Sequence, residues 1–200
     1  MRALVKNHLG VIICLVATSF AVYEFVITIY PSLIIRDLMT AFHITSIQIA
    51  MLSAFFYLAF ILVQLAVGPL LDRANLRILM TTATAATTIG AFGFACSGSF
   101  LMASLSRLLM GAGTAFALTA TLYLIKNWLN EKHFALFAGA ALAAIFLVAC
   151  LCNIGFSTIL QFVSWRQLGI CLGIAGLIIT IFTALFVKRN PDRPSNLTKP

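Results

Sequence analysis

The sequence predicts an all-α membrane protein with six transmembrane helices, and three observations lead there. Of the 200 residues, 62% are hydrophobic and only 9% are charged, with a mean hydropathy of +1.08; a soluble domain carries nearer a quarter charged residues. The apolar residues gather into runs of about 19 residues or more, and at roughly 1.5 Å per residue such a run crosses a hydrocarbon core about 30 Å thick. The charges fall almost entirely between the runs. None of the runs alternates in the ten-residue manner of a membrane-barrel strand, so helices are expected throughout.

Taken in order, the runs are roughly Leu9 to Ile35, Ser46 to Leu71, Ile78 to Cys96, Phe100 to Ile125, Phe134 to Phe162 and Leu168 to Val187. The first follows Met1-Arg2-Ala3-Leu4-Val5-Lys6 and begins like a secretion signal. It continues past Glu24 to Ile35, well beyond a signal core of about 7 to 15 residues, and reads as an uncleaved helix. Thr45-x-x-Gln48 is a capping-box pattern that opens the second run. Ser97-Gly98-Ser99 is a tight turn after the third, and Trp128 and Trp165 stand at helix ends, where indole rings favour the membrane interface. Small residues four apart predict close helix packing: Gly111 and Ala115 in the fourth run, Ala135, Gly139 and Ala143 in the fifth, Gly169 and Gly173 in the sixth. Residues 1–187 form the membrane domain on this reading. The tail 188–200, with three prolines and no apolar cluster, is expected to be a linker or a disordered terminus.

Charge fixes the orientation. With the N-terminus in the cytoplasm, Arg2, Lys6, Arg73, Arg77, Lys126, Lys132, Lys188, Arg189, Arg193 and Lys199 lie on that side and only Arg36 and Arg166 lie outside. By the positive-inside rule both termini are cytoplasmic. The formal charge of +8, from 13 Lys and Arg against 5 Asp and Glu, would suggest nucleic acid in a soluble protein; here it records topology, and no nucleic-acid partner is expected.

Catalytic and metal chemistry find little support. Cys14, Cys96, Cys150, Cys152 and Cys171 lie in or at the edges of apolar runs, and Cys150 and Cys152 point about 200° apart on a helix, so all five read as small packing residues. His8, His43 and His133 sit at run ends or in loops. Nothing resembles a Ser-His-Asp set, a phosphate loop or a zinc site, so no enzyme activity, cofactor or metal is expected.

Two ionisable residues lie inside runs. Glu24 stands near the middle of the first run, where a carboxylate costs about 2.5 to 3.5 kcal/mol, so it must face water, carry a proton or be paired. Arg107 is the basic residue within a run. If the first helix runs outward and the fourth inward, counting roughly 1.5 Å per residue puts the two side chains within about 5 Å in depth. A pair between them would either hold helices together or serve proton coupling or substrate contact. Tyr23, Thr28, Tyr57, Gln64, Tyr123 and Asn153 are candidates to line a pore, with a bond to a neighbouring helix as the alternative for each.

Two motifs narrow the class. Gly68-Pro-Leu-Leu-Asp72-Arg73-Ala-Asn-Leu-Arg77 resembles the G-x-x-x-D-R-x-G-R/K-R/K signature between helices 2 and 3 of the major facilitator superfamily, departing from it at Asn75, where glycine is usual, and at Leu76, where a cation is usual. Asparagine tolerates left-handed backbone angles, so the turn is expected to survive; loss of the cation at 76 should weaken the latch that this motif forms in the superfamily. Arg107-Leu-Leu-Met-Gly111-Ala-Gly113-Thr-Ala115 resembles the R-x-x-x-G-x-G-x-A signature of helix 4 in proton-coupled members. The resemblance covers essentially the entire chain. It implies one superfamily half bundle, a 3+3 inverted repeat, with Asp72, Arg73 and Arg77 in a charge network that latches two halves and Arg107 in proton transfer. Tyr23-Glu24-Phe25, Pro31-Ser32, Leu52-Ser53-Ala54 and Gln64 are similar to the phagosomal-transporter branch, found in intracellular bacteria and linked to amino-acid uptake, although Thr28 stands where that branch often has arginine.

The function expected from the resemblance is proton-coupled secondary transport of a small polar solute, such as an amino acid, across a bacterial inner membrane. One half cannot enclose a pathway. The partners implied are therefore the lipid bilayer, the solute and a second six-helix half, either an extension of the same chain or a homodimer mate. The alternative is a truncated, non-transporting membrane remnant or scaffold.

Overall fold

A computed structural model describes residues 2–129 and 131–188. It contains the helices α1 (Arg2–Leu33), α2 (Ile35–Phe42), α3 (Ser46–Arg73), α4 (Leu76–Ala95), α5 (Phe100–Thr114), α6 (Ala117–Trp128), α7 (Phe134–Ile159) and α8 (Trp165–Phe186), with a single 3₁₀ turn before α7. Six segments are long and apolar enough to cross a membrane: Leu9–Leu33, Ser46–Arg73, Leu76–Ala95, Phe100–Trp128, Phe134–Ile159 and Trp165–Phe186. No strand occurs among the described residues. The tail 189–200 lies outside them.

The packing relates the first three spans to the last three. α4 packs most extensively on α8 and α5, α1 faces α6, and the contact of α3 with α5 has its counterpart in that of α7 with α1. The pairing of α3–α5 with α7–α1 is what two three-helix repeats would give. α3 and α7 have the fewest buried residues, and their open faces carry Leu65, Ile61, Leu147 and Ile154, all more than half exposed.

Local chemistry sets the helix ends. At Thr45 the capping box forms as expected, the Gln48 side-chain oxygen accepting the Thr45 amide at 2.9 Å. A second box at Ser164 and Gln167 opens α8 three residues earlier than hydropathy suggests, because Trp165-Arg166-Gln167 is too polar to score as membrane sequence. Asn75 departs from expectation. Its backbone is extended, at φ −69°, and its side chain accepts the Arg77 amide at 3.1 Å, so it caps α4 and needs no left-handed turn. Asn75→Ala should therefore lower stability by about 1 kcal/mol and Asn75→Gly by only a few tenths, as read by thermal unfolding in detergent. The described non-glycine residue with positive φ is His43, at the end of α2.

The fourth span is present as expected, with a break in its helix at Ala115 and Phe116, both buried. Two expectations are corrected. Ala135, Gly139 and Ala143 face outward, with open space around Gly139, so that stripe packs no helix of this bundle. Of the five cysteines only Cys14 is in the core; Cys96, Cys150 and Cys171 are exposed on the apolar surface. The other small residues do pack: a Cβ on Gly169 would meet Ala95 at 2.9 Å, and one on Gly173 would meet the Phe92 ring at 2.6 Å.

The two ends of the bundle differ in charge. Arg73, Arg77 and Lys188 share one end, where the Trp128 indole also donates to the Lys188 carbonyl at 3.1 Å. At the other end, Trp165 opens α8 at a helix end as expected, and its ring is buried among Phe42, Phe94 and the Arg166 guanidinium.

Candidate functional site

Glu24 is 8% exposed on α1, and its carboxyl group has neither a hydrogen-bond nor an ion-pair partner among the described residues. Arg107 is 1% exposed on α5. The two do not pair. The Arg107 Nη1 donates instead to the backbone carbonyl of Ile27, at 3.3 Å, one turn beyond Glu24 on the same helix. Its guanidinium carbon stands 4.3 Å from the centre of the Phe56 ring on α3, and its Nε has no acceptor. The expected depth is therefore right, because an arginine from the fourth span does reach α1 beside Glu24. The partner differs because the rotation of each helix about its axis decides which atom is met.

Glycines set this arrangement. At Gly111, one turn after Arg107, α5 touches the backbone of α3 at Phe56; at Gly113 it touches the backbone of α4 at Ala83 and Thr87. The close approach at Gly111 brings the Phe56 ring under the arginine, where the face of an aromatic ring attracts a cation.

The candidates for pore lining separate. Tyr23 is 4% exposed and its hydroxyl lies against Gly176 and Thr88, so it belongs to the core between α1, α4 and α8 and not to an open surface. Thr28 is half-buried and its hydroxyl bonds back to the Glu24 carbonyl at 2.9 Å. Gln64 donates to Thr119 on α6 at 2.9 Å while its Oε1 has no donor. Tyr57 is 50% exposed, edge-on to Phe56, and Asn153 is half-buried on α7. Beyond these, sequence reasoning missed the hydroxyl seam of α4 and α8, where Thr88 and Thr180 meet at 3.2 Å beside the Tyr23 hydroxyl. The signal was present in the run of threonines at 81, 82, 84, 87 and 88.

A separate site lies at the α3–α4 turn. Arg73, Ala74, Asn75, Leu76, Arg77 and Lys188 line a recess of about 450 Å³, and Gly68 has open space above it. Asp72, Arg73 and Arg77 are all exposed.

The family model for the Major Facilitator Superfamily matches residues 10–200. The chain belongs to the major facilitator superfamily. Among solved structures, the proton:xylose symporter XylE bound to 6-bromo-6-deoxy-D-glucose superposes with a TM-score of 0.81 at 15% identity, over 92% of this chain and 46% of that one. A bacterial homologue of the human lysosomal transporter Spinster, inward-facing and unoccupied, gives a TM-score of 0.73 at 15% identity, over 97% and 47%. At that identity the likeness is one of fold. No curated protein matches the sequence. This superfamily chain spans about half the length of the structures it matches.

Proposed function

We propose that this superfamily chain is one half of a secondary active transporter, moving a small polar solute such as an amino acid by alternating access, with protons as the coupling ion and Glu24 and Arg107 as the coupling residues. The observation that carries the reading is a carboxyl group on a buried residue, without a partner among the described residues, one helical turn from a buried guanidinium that rests on backbone. Neither position is cheap in a membrane, and intramembrane ionisable groups of this kind mark ion and substrate pathways. Glu24 binds and releases the proton. Arg107, with a free Nε, is placed to answer the carboxylate that remains.

A second six-helix half supplies the other wall, either as further chain or as a homodimer mate. The sparsely buried α3 and α7 and the outward stripe of Ala135, Gly139 and Ala143 suit its approach. Asp72, Arg73 and Arg77, with Gly68 open beside them, form the latch to it at the basic end, which is cytoplasmic in a bacterial inner membrane, as are both termini.

Uptake of labelled amino acids into proteoliposomes, with and without an imposed proton gradient, tests the reading. Gradient-driven uptake should be present and should fall by at least about tenfold in Glu24→Gln, a modest loss for removing a proton-transferring group. Unchanged uptake in that variant removes Glu24 from the mechanism. Correctly inserted protein that is assembled with its second half and still shows no uptake favours the scaffold.

A further inference from the structure

Pro31 lies inside α1. A proline has no backbone N–H to give, and its ring crowds the carbonyl four residues back. In α1 that carbonyl belongs to Ile27. Ile27 is 1% exposed, so neither water nor headgroups reach it from outside the bundle. A backbone acceptor left bare at such a place is strongly unfavourable, and proline is tolerated in a membrane helix when a neighbouring side chain serves the freed group. The group that serves it is the Arg107 guanidinium, through Nη1 at 3.3 Å.

The rest of the arginine's surroundings fit this role. Arg107 has no carboxylate partner, although Glu24 stands one turn away with none of its own. Phe56 at 4.3 Å supports the guanidinium from α3 without competing for its donors. α3 offers an internal comparison. It also contains a proline, Pro69, whose ring frees the carbonyl of Leu65; Leu65 is 78% exposed, and no side chain among the described residues donates to its carbonyl. The proline whose freed carbonyl is buried has a donor from another helix, and the one whose freed carbonyl is exposed has none.

We propose that Arg107 is a positioning residue that replaces the N–H missing at Pro31, clamping the weak point of α1 to α5. The last turn of α1, which ends at Leu33 two residues past Pro31, is then held to α5 through Ile27. The clamp stands apart from the transport reading, because its test measures stability and amide exchange and not uptake.

The test is a double-mutant cycle on the whole protein in detergent micelles. Pro31→Ala restores an N–H at the right place, so it should relieve the loss of the arginine. Arg107→Met alone should lower Tm by about 6 °C, and by roughly half as much in the Pro31→Ala background, a coupling that independent sites do not show. Hydrogen exchange of the amides from Thr28 to Ile34 should quicken by about tenfold in Arg107→Met and return toward wild type in the double variant. Pro69→Ala should give no such relief. Additive Tm changes, exchange that ignores Arg107, or equal relief from Pro69→Ala would each overturn the proposal. If Arg107→Met yields no folded protein, recovery of folding in the double variant supports the clamp. Failure of the double variant, with Pro31→Ala alone folded, sinks it.

Discussion

Gly111→Leu should leave no folded bundle. α3 and α5 meet there backbone to backbone: a Cβ on Gly111 would overlap the Phe56 carbonyl oxygen, with the carbonyl carbon at 2.9 Å and Cα at 3.1 Å. Those are main-chain atoms, so no rotamer change makes room. Forcing extra carbon into a packed core costs about 1 to 3 kcal/mol, and alanine alone should lower Tm by about 5 °C on that account. Leucine places three further carbons in the same space and must separate the two helices. Separation also withdraws Phe56 from Arg107 and leaves a buried guanidinium without its aromatic face. Gel filtration and thermal unfolding in detergent read the result, with Gly98→Leu as the comparison. Nothing lies within 4 Å of a Cβ at Gly98, so that variant should elute and melt like wild type. Equal damage at both positions would mean that the contact at Gly111 does not govern the fold.

Arg166→Met should lower Tm by about 5 °C, and Arg166→Lys should recover little of the loss. Arg166 stands in the first turn of α8, where a positive charge opposes the helix dipole. Its side chain reaches across to the end of α4 and donates through Nη1 to the carbonyls of Ala95 at 3.0 Å and Ser97 at 2.7 Å. A cation is favoured at that carboxyl end, and hydrogen bonds from a charged donor contribute about 1.5 to 3 kcal/mol each when well buried; Arg166 is half-buried, so about 2 kcal/mol for the whole contact is the expected scale. The guanidinium also covers the Trp165 ring at 4.4 Å. Trp165 in turn touches Phe42 of α2 and Phe94 of α4, and its carbonyl accepts from the Tyr30 hydroxyl of α1. One turn of α8 thus holds three other helices. Thermal unfolding of the two variants checks this, and a Tm unchanged in Arg166→Met would show that the contact contributes nothing. The anchorage gives an arginine a structural role at the end of the bundle opposite Arg73, Arg77 and Lys188.

Much of the fold was legible because hydropathy and caps act locally. The starts at Ser46, Phe100 and Phe134 are where composition puts them, each fixed by the change from polar loop to apolar run. What escaped was also local but weak in that signal. α2 is eight residues long, with Leu38 buried and Arg36 and Asp37 outside, too short and too mixed to score as membrane sequence. The interruption at Ala115 and Phe116 has apolar residues on both sides, so hydropathy passes straight over it.

The site was legible in depth and not in angle. Rise per residue is nearly constant along a helix, so Glu24 and Arg107 could be set at one level from the sequence. The rotation of a helix depends on which side chains and glycines meet its neighbours. That is why Arg107 rests on the Ile27 carbonyl and Phe56 and not on Glu24, and why Tyr23, adjacent to Glu24 in sequence, turns into the core against Gly176.

The sequence by itself determined that the chain is a bundle of six membrane helices of the superfamily type, since length, hydropathy and the two motifs are properties of contiguous residues. Only the tertiary structure decided which polar groups meet. Those meetings join residues as far apart as Ile27 and Arg107, or Ala95 and Arg166, and follow from where backbones without side chains allow helices to close.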